Sequence, residues 1–179
     1  MHNPMHKIVI IGPESTGKST LSQELAAHFN APWVPEYARE YIDQLDRPYT
    51  FDDLLAIAKG QVKLEDEMAA EAEDKLFCDT DLRVIKVWSE HRYKQTHEWI
   101  KQQIQTREYS LYLLTAIDIP WAEDPQREHA DPAMREYFMQ VYENEMRASG
   151  VPWKKISGTE EKRFKTAINC VEKCLFKKD

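Results

Sequence analysis

Residues 10 to 20 read IIGPESTGKST, a glycine-bounded loop between a β-branched run and an amphipathic stretch. Gly12, Pro13, Glu14, Ser15, Thr16, Gly17, Lys18 and Ser19 fit the pattern G-x-x-x-x-G-K-[ST] in full. Such a loop belongs at one place in a fold, after a strand and opening a helix. The flanks meet both conditions. KIVII (7 to 11) is β-branched, and Leu21, Leu25, Ala26 and Phe29 share one face of a helix over Ser19 to Phe29. The glycines let the backbone turn with its N–H groups inward, and the helix start adds the positive end of its dipole. The loop is therefore shaped for a nucleoside triphosphate. Lys18 is placed to reach the β- and γ-phosphates, the Ser19 hydroxyl to ligate Mg2+, and Thr20 to close the donor site on the helix.

The rest of the chain repeats the alternation of strand and helix. Further apolar runs lie at 32–35, 75–80, 110–117 and 152–157, and helical patterns span 51–72, 82–88, 98–107, 131–149 and about 159–176. Asp131-Pro132 opens one of these helices and Gly150 is placed to end it. Strands separated by helices imply an α/β fold with a parallel sheet covered on both faces. No linker or repeat divides the 179 residues, so 7–179 reads as one domain behind a frayed segment, residues 1–6.

Composition narrows the function classes. A formal net charge of −7 argues against nucleic acid as a partner, and no apolar run is long enough for a membrane span. Cys78, Cys170 and Cys174 fit neither a disulfide framework nor a metal set, as expected of a cytoplasmic protein. Oligomeric state leaves no signal.

A loop of this kind needs a carboxylate at the end of a neighbouring strand, near the metal. In LFCDTD, Asp79 closes the run and is the metal-side candidate; Asp81 either faces the substrate or caps the helix starting at Leu82. Glu36, in VPEYAREY, stands at a strand's C-terminal end, where open α/β sheets place their ligand crevice. It is the candidate base or hydroxyl-orienting group, with Arg39 beside it and Trp33 and Tyr37 as further substrate contacts. The alternative is an ion-paired helix face, since Glu36, Arg39 and Glu40 have helical spacing. Residues 118–135 read as a mobile lid in which Arg127, ahead of Arg135, would close over the transferring group. In SGTEEKRF (157 to 164), Arg163 either stacks on the purine base or forms a salt bridge on the surface.

Taken in order, GPESTGKST, EYAREY, DTD, the W-x-x-D-x-x-R of Trp121, Asp124 and Arg127, and SGTEEKRF resemble the ribosylnicotinamide kinase domain of NadR-type proteins, a P-loop nucleoside kinase-like family. The resemblance covers Lys7 to about Leu175. It implies a five-stranded sheet in the order 2-3-1-4-5, ATP with Mg2+, and transfer of the γ-phosphoryl group to a nucleoside 5′-hydroxyl, with Glu36 receiving or orienting the proton. Pro35 departs from the family pattern, which has an aromatic residue there. No [HT]-x-G-H sequence occurs, so adenylyl transfer is not expected of these residues. Two alternatives stand beside a ribosylnicotinamide kinase. One is a kinase for another nucleoside or nucleotide. The other is an ATP-dependent switch with a protein partner, although the guanine-nucleotide strings D-x-x-G and N-K-x-D are absent.

Overall fold

A computed structural model describes residues 5–176. The first half of the chain runs β1 (His6–Ile11), α1 (Lys18–His28), β2 (Trp33–Val34), α2 (Tyr37–Asp43), α3 (Phe51–Glu71) and β3 (Lys75–Asp79). It continues with α4 (Leu82–Tyr93), α5 (Glu98–Thr106), β4 (Leu111–Thr115), α6 (Pro132–Ser149), β5 (Trp153–Ile156) and α7 (Glu160–Leu175).

Along β1, side chains alternate between two apolar layers. Ile8 and Ile10 join Leu21, Leu25, Ala167 and Val171 of α1 and α7, while Val9 and Ile11 join Val84, Val87, Phe138 and Tyr142 of α4 and α6. All four strand residues are fully buried. Each such side chain contributes about 2 kcal/mol by leaving water, and a strand apolar on both faces must lie mid-sheet. All the pairings are parallel and the order is β2-β3-β1-β4-β5, as the sequence resemblance implies. A third apolar cluster, built on Ala38, Leu54, Ile57, Leu82, Ile85 and Ile100, packs α2 and α3 against α4 and α5 beside the sheet.

The strand at the N-terminus begins earlier than expected. His6 is a β1 residue whose N–H donates to the Asp74 carbonyl at 2.8 Å, so the frayed segment expected over 1–6 does not include it. Residues 1–4 of that segment lie outside the described residues. Helix α4 runs five residues past the expected end at Trp88, to a left-handed cap at Lys94. That extension matters, because it carries His91 and Arg92 to the crevice. Gly150 takes its expected left-handed C-cap, with φ 71°. Among the described residues no helix is long and apolar enough to cross a membrane.

Since every strand runs the same way, the ends of all five meet at one edge. β1 has β3 on one side and β4 on the other, so the loop after it sits where the winding reverses, the place such sheets keep for a ligand.

Candidate active site

The loop after β1 is held by contacts that only small or hydroxylated residues permit. Gly12 has φ 150°, and a Cβ there would meet Thr115 Oγ1 at 2.6 Å. Thr16 Oγ1 donates to the Pro13 carbonyl at 2.8 Å and lies 2.6 Å from Thr115 Oγ1, which stitches the loop to the end of β4. Gly17 is the N-cap of α1 at φ 78° and offers no side-chain acceptor. The first-turn N–H groups of α1 are thus left for an anion.

Around this loop stand the groups that a phosphoryl transfer requires. Lys18 folds back, its Nζ donating to the Pro13 carbonyl at 2.8 Å. Desolvation lowers its pKa, against the nearby carboxylates of Glu36, Asp79 and Glu14. Ser19 Oγ donates to Asp79 Oδ2 in a short hydrogen bond, while Asp79 Oδ1 is buried with no protein partner. Burial raises the pKa of Asp79, opposed by Lys18. A hydroxyl and a carboxylate with one oxygen unused form an oxygen donor set of the kind Mg2+ takes alongside phosphates and water. Glu36, 11% exposed, ends the β2 segment and is the N-cap residue of α2. Burial raises its pKa and Lys18 pulls it down. Arg39 Nε lies 3.6 Å from Glu36 Oε2, and Arg39 NH1 donates to Asp124 at 2.9 Å.

The lid is the irregular stretch between β4 and α6. Arg127 reaches the loop, donating to Ser15 Oγ at 3.4 Å and also to the Ala122 carbonyl. Arg135 reaches it too, donating to the Ser15 carbonyl at 3.3 Å. Trp121 has both guanidinium groups over its ring, at 5.9 and 5.8 Å. Arg135 stands near the start of α6, and that end of the helix lies beside the loop.

A cavity of about 430 Å3 joins the loop, Glu36, Arg39 and Arg127, while Asp79 lines an adjoining groove. The loop from Glu14 to Thr20 forms one end, Glu36, Ala38, Arg39 and Ile42 one side, and Gln126 to His129 another. The remaining wall is largely aromatic: Trp88, which the sequence favours as packing, and Tyr49, His91, Arg92 and Phe138, which the sequence reading left out. Trp88, His91 and Arg92 sit at i, i+3 and i+4 on α4, a spacing that marks a shared face without saying what the face meets.

Asp81, Trp33, Tyr37 and Arg163, also singled out from the sequence, do not line this cavity. Asp81 caps α4 by accepting from Arg83 N–H at 3.0 Å, and Tyr112 donates its hydroxyl proton to it at 2.6 Å. It is 2% exposed, and burial pushes its pKa up to about 6. Trp33 donates its indole N–H to Ser22 Oγ at 2.9 Å, and Tyr37 packs its ring on Gly60. These two line an open groove with Pro35 and Asp79, and that groove shares Ser19, Glu36, Arg39 and Arg127 with the cavity. Arg163 is a buried strut: its guanidinium donates to the carbonyls of Gly158, Thr16 and Ala116 at 2.9, 2.7 and 2.8 Å and pairs with Asp118. Arg163 forms an ion pair, but as a buried group and not on the surface, and its bonds to the Thr16 and Gly158 carbonyls tie the phosphate loop to the loop after β5.

Comparison with known proteins agrees with this architecture. A family model described as an AAA domain matches residues 7–163. The trifunctional NAD biosynthesis/regulator protein NadR of Escherichia coli K12 is 26% identical over 171 residues, which are 92% of this chain and 41% of that protein. Its counterpart in Salmonella typhimurium LT2 is 25% identical over 172 residues, again 92% of this chain and 41% of that protein. The chain thus spans about two-fifths of the length of these relatives. A crystal structure of a NadR protein in complex with NR superposes with a TM-score of 0.81 at 23% identity, covering 97% of this chain and 52% of that one. Thymidylate kinase from Ehrlichia chaffeensis superposes with a TM-score of 0.69 at 12% identity, covering 94% of this chain and 99% of that one. The resemblance to NadR-type proteins read from the motifs is borne out, and the chain belongs to the AAA domain family whose model spans its phosphate loop, sheet and lid.

Proposed function

We propose that this chain is an ATP-dependent kinase that moves the γ-phosphoryl group to the 5′-hydroxyl of a nucleoside, ribosylnicotinamide foremost. The observation that carries the reading is one cavity lined by the phosphate loop and by the rings of Tyr49, Trp88, His91 and Phe138, with the buried Glu36 carboxylate in the same lining. A triphosphate fits the loop, a flat base the rings, and a sugar hydroxyl the carboxylate. The relatives support it, since one NadR structure is a complex with NR and another a complex with NAD and AMP-PNP.

Within that reading, Lys18 and the loop amides hold the donor phosphates. Ser19 and Asp79 would hold Mg2+, which supplies charge neutralisation between the phosphates. Glu36 orients the acceptor hydroxyl and takes its proton. Arg127 closes over the equatorial oxygens, and the lid excludes water. Phosphoryl transfer asks for positioning and electrostatics more than for covalent chemistry, and this site offers both.

The acceptor wall favours a nucleoside over a nucleoside monophosphate. Arg39 is engaged by Glu36 and Asp124, and Arg92 lies over the Tyr49 ring at 4.4 Å with Glu128 at 3.2 Å. Both guanidinium groups are matched by carboxylates, an environment that suits hydroxyls better than another dianion. The test is ADP release with Mg-ATP, with and without a panel of nucleosides and monophosphates. Acceptor-dependent release with a nucleoside, greatest for ribosylnicotinamide, is the expected result. Slow release that ignores every acceptor would overturn the kinase in favour of an ATP-dependent switch.

A further inference from the structure

The carboxylate of Glu14 belongs to the phosphate loop, where an anion next to a triphosphate is unfavourable. Its geometry shows another use. Glu14 accepts the backbone N–H of Glu128 at 3.3 and 3.1 Å through its two oxygens, and that of His129 at 3.0 Å. Its neighbour Ser15 accepts the N–H of Ala122 at 2.8 Å. Residues 120–130 contain neither helix nor strand, so a few bonds decide where this segment lies. One anchor is α2, through Arg39 to Asp124 at 2.9 Å and Gln126 to the Arg39 carbonyl at 3.2 Å. The other is the phosphate loop, through Glu14 and Ser15.

What Glu14 holds is the acceptor wall itself. Glu128 receives Arg92, which in turn covers Tyr49. The His129 ring lies 5.2 Å from His91 and 4.8 Å from Phe138. Bonds from backbone N–H groups to a carboxylate are charge-assisted and stronger than neutral ones. Filling the loop with phosphate immobilises the residue that carries this anchor, so order gained at the donor site is shared with the acceptor site.

We propose that Glu14 is a positioning residue that couples the two sites: it fastens the acceptor wall of the lid to the phosphate loop, so that each ligand strengthens binding of the other. The coupling rests on the kinase reading above, whereas the fastening does not. Amide hydrogen exchange on the ligand-free chain tests the fastening directly. In Glu14→Ala the amides of residues 128 and 129 should exchange about tenfold faster or more, with Glu14→Gln intermediate, as expected for losing a charge-assisted bond. Unchanged protection in β1 and α1 shows that the variants are folded.

Steady-state kinetics with ribosylnicotinamide as the acceptor probe tests the coupling. Glu14→Ala should raise the acceptor KM about tenfold while the ATP KM moves by less than about threefold. A non-hydrolysable ATP analogue should tighten acceptor binding by the wild-type chain and not by Glu14→Ala. Unchanged exchange at 128 and 129, or equal rises in both KM values, overturns the proposal. A wild-type chain with no acceptor-dependent turnover defeats the kinase reading and the coupling with it, and the exchange result still decides the fastening.

Discussion

Lys18 and Glu36 face each other across the space between donor and acceptor, and substitutions at the two should separate their roles. Lys18→Ala leaves the fold intact and lowers turnover by about a hundredfold or more, since a preorganised cation at the phosphates is lost. Circular dichroism and ADP release check both halves. Glu36→Gln lowers kcat by about 100-fold or more and leaves the ATP KM within about twofold, the signature of a group that works on the acceptor proton. Burial holds the Glu36 pKa above its ordinary 4.5 in the free chain, so the acidic limb of wild-type kcat/KM should lie above that pH. Turnover in Glu36→Gln equal to wild type would remove Glu36 from the chemistry. Asp81 gives the clearest pH test of a residue outside the site. Its folded pKa of about 6 exceeds the ordinary 3.8, so the folded chain binds this proton more tightly. That contribution is fully present below about pH 4 and is lost as pH rises through 6. Asn keeps the cap through its Oδ1 and, without a charge, faces Tyr112 with an Nδ2 that donates to the phenol oxygen. The stability of Asp81→Asn relative to wild type should therefore rise by about 2 kcal/mol between pH 4 and 7 in urea titrations. Parallel curves would refute it.

Among the elements, the lid and the strut beneath the loop make opposite predictions. Arg163 is 5% exposed and binds the carbonyls that end the phosphate loop and β4. Arg163→Ala leaves buried carbonyls without donors and should destabilise the fold by about 3 kcal/mol, lowering activity only through lost structure. Arg127 lies on an exposed segment, so Arg127→Ala should leave the melting temperature within about 2 °C while lowering kcat by about a hundredfold. Thermal melts beside kinetics distinguish the two. At this scale the elements were largely legible: the capped start of α6, its Gly150 stop and the β-branched β1 all follow from local chemistry. What escaped was α4 beyond Trp88. Its last turn, SEHRY, carries no apolar period to announce a helix, and its continuation is set by packing against α5 and the lid.

On the scale of the whole molecule, the phosphate loop, α2, α4 and the lid come from distant parts of the chain and are organised around one volume. A ligand that binds only when they are assembled must stabilise all of them. Mg2+ with a non-hydrolysable ATP analogue at 100 times its Kd should add about 2.7 kcal/mol to unfolding. That amounts to a rise of about 5–10 °C in the melting temperature for a chain of this size, and omitting Mg2+ should reduce it sharply. No shift with any nucleoside triphosphate would refute the donor site.

The loop, its lysine and serine, the parallel sheet and the carboxylates Asp79 and Glu36 were written in the sequence, because each depends on local chemistry: glycine torsions, strand alternation, residues at strand ends. The acceptor wall was not. Tyr49, Trp88, His91, Arg92 and Phe138 lie on three separate stretches of chain, and each looks like ordinary packing until the helices dock. For Asp81 the sequence offered both a substrate contact and a helix cap, and the left-handed backbone at Thr80, φ 70°, turns it under α4 as the cap. Side-chain direction at a turn and the meeting of distant faces are decided by packing of the entire core, and only the folded chain contains that information.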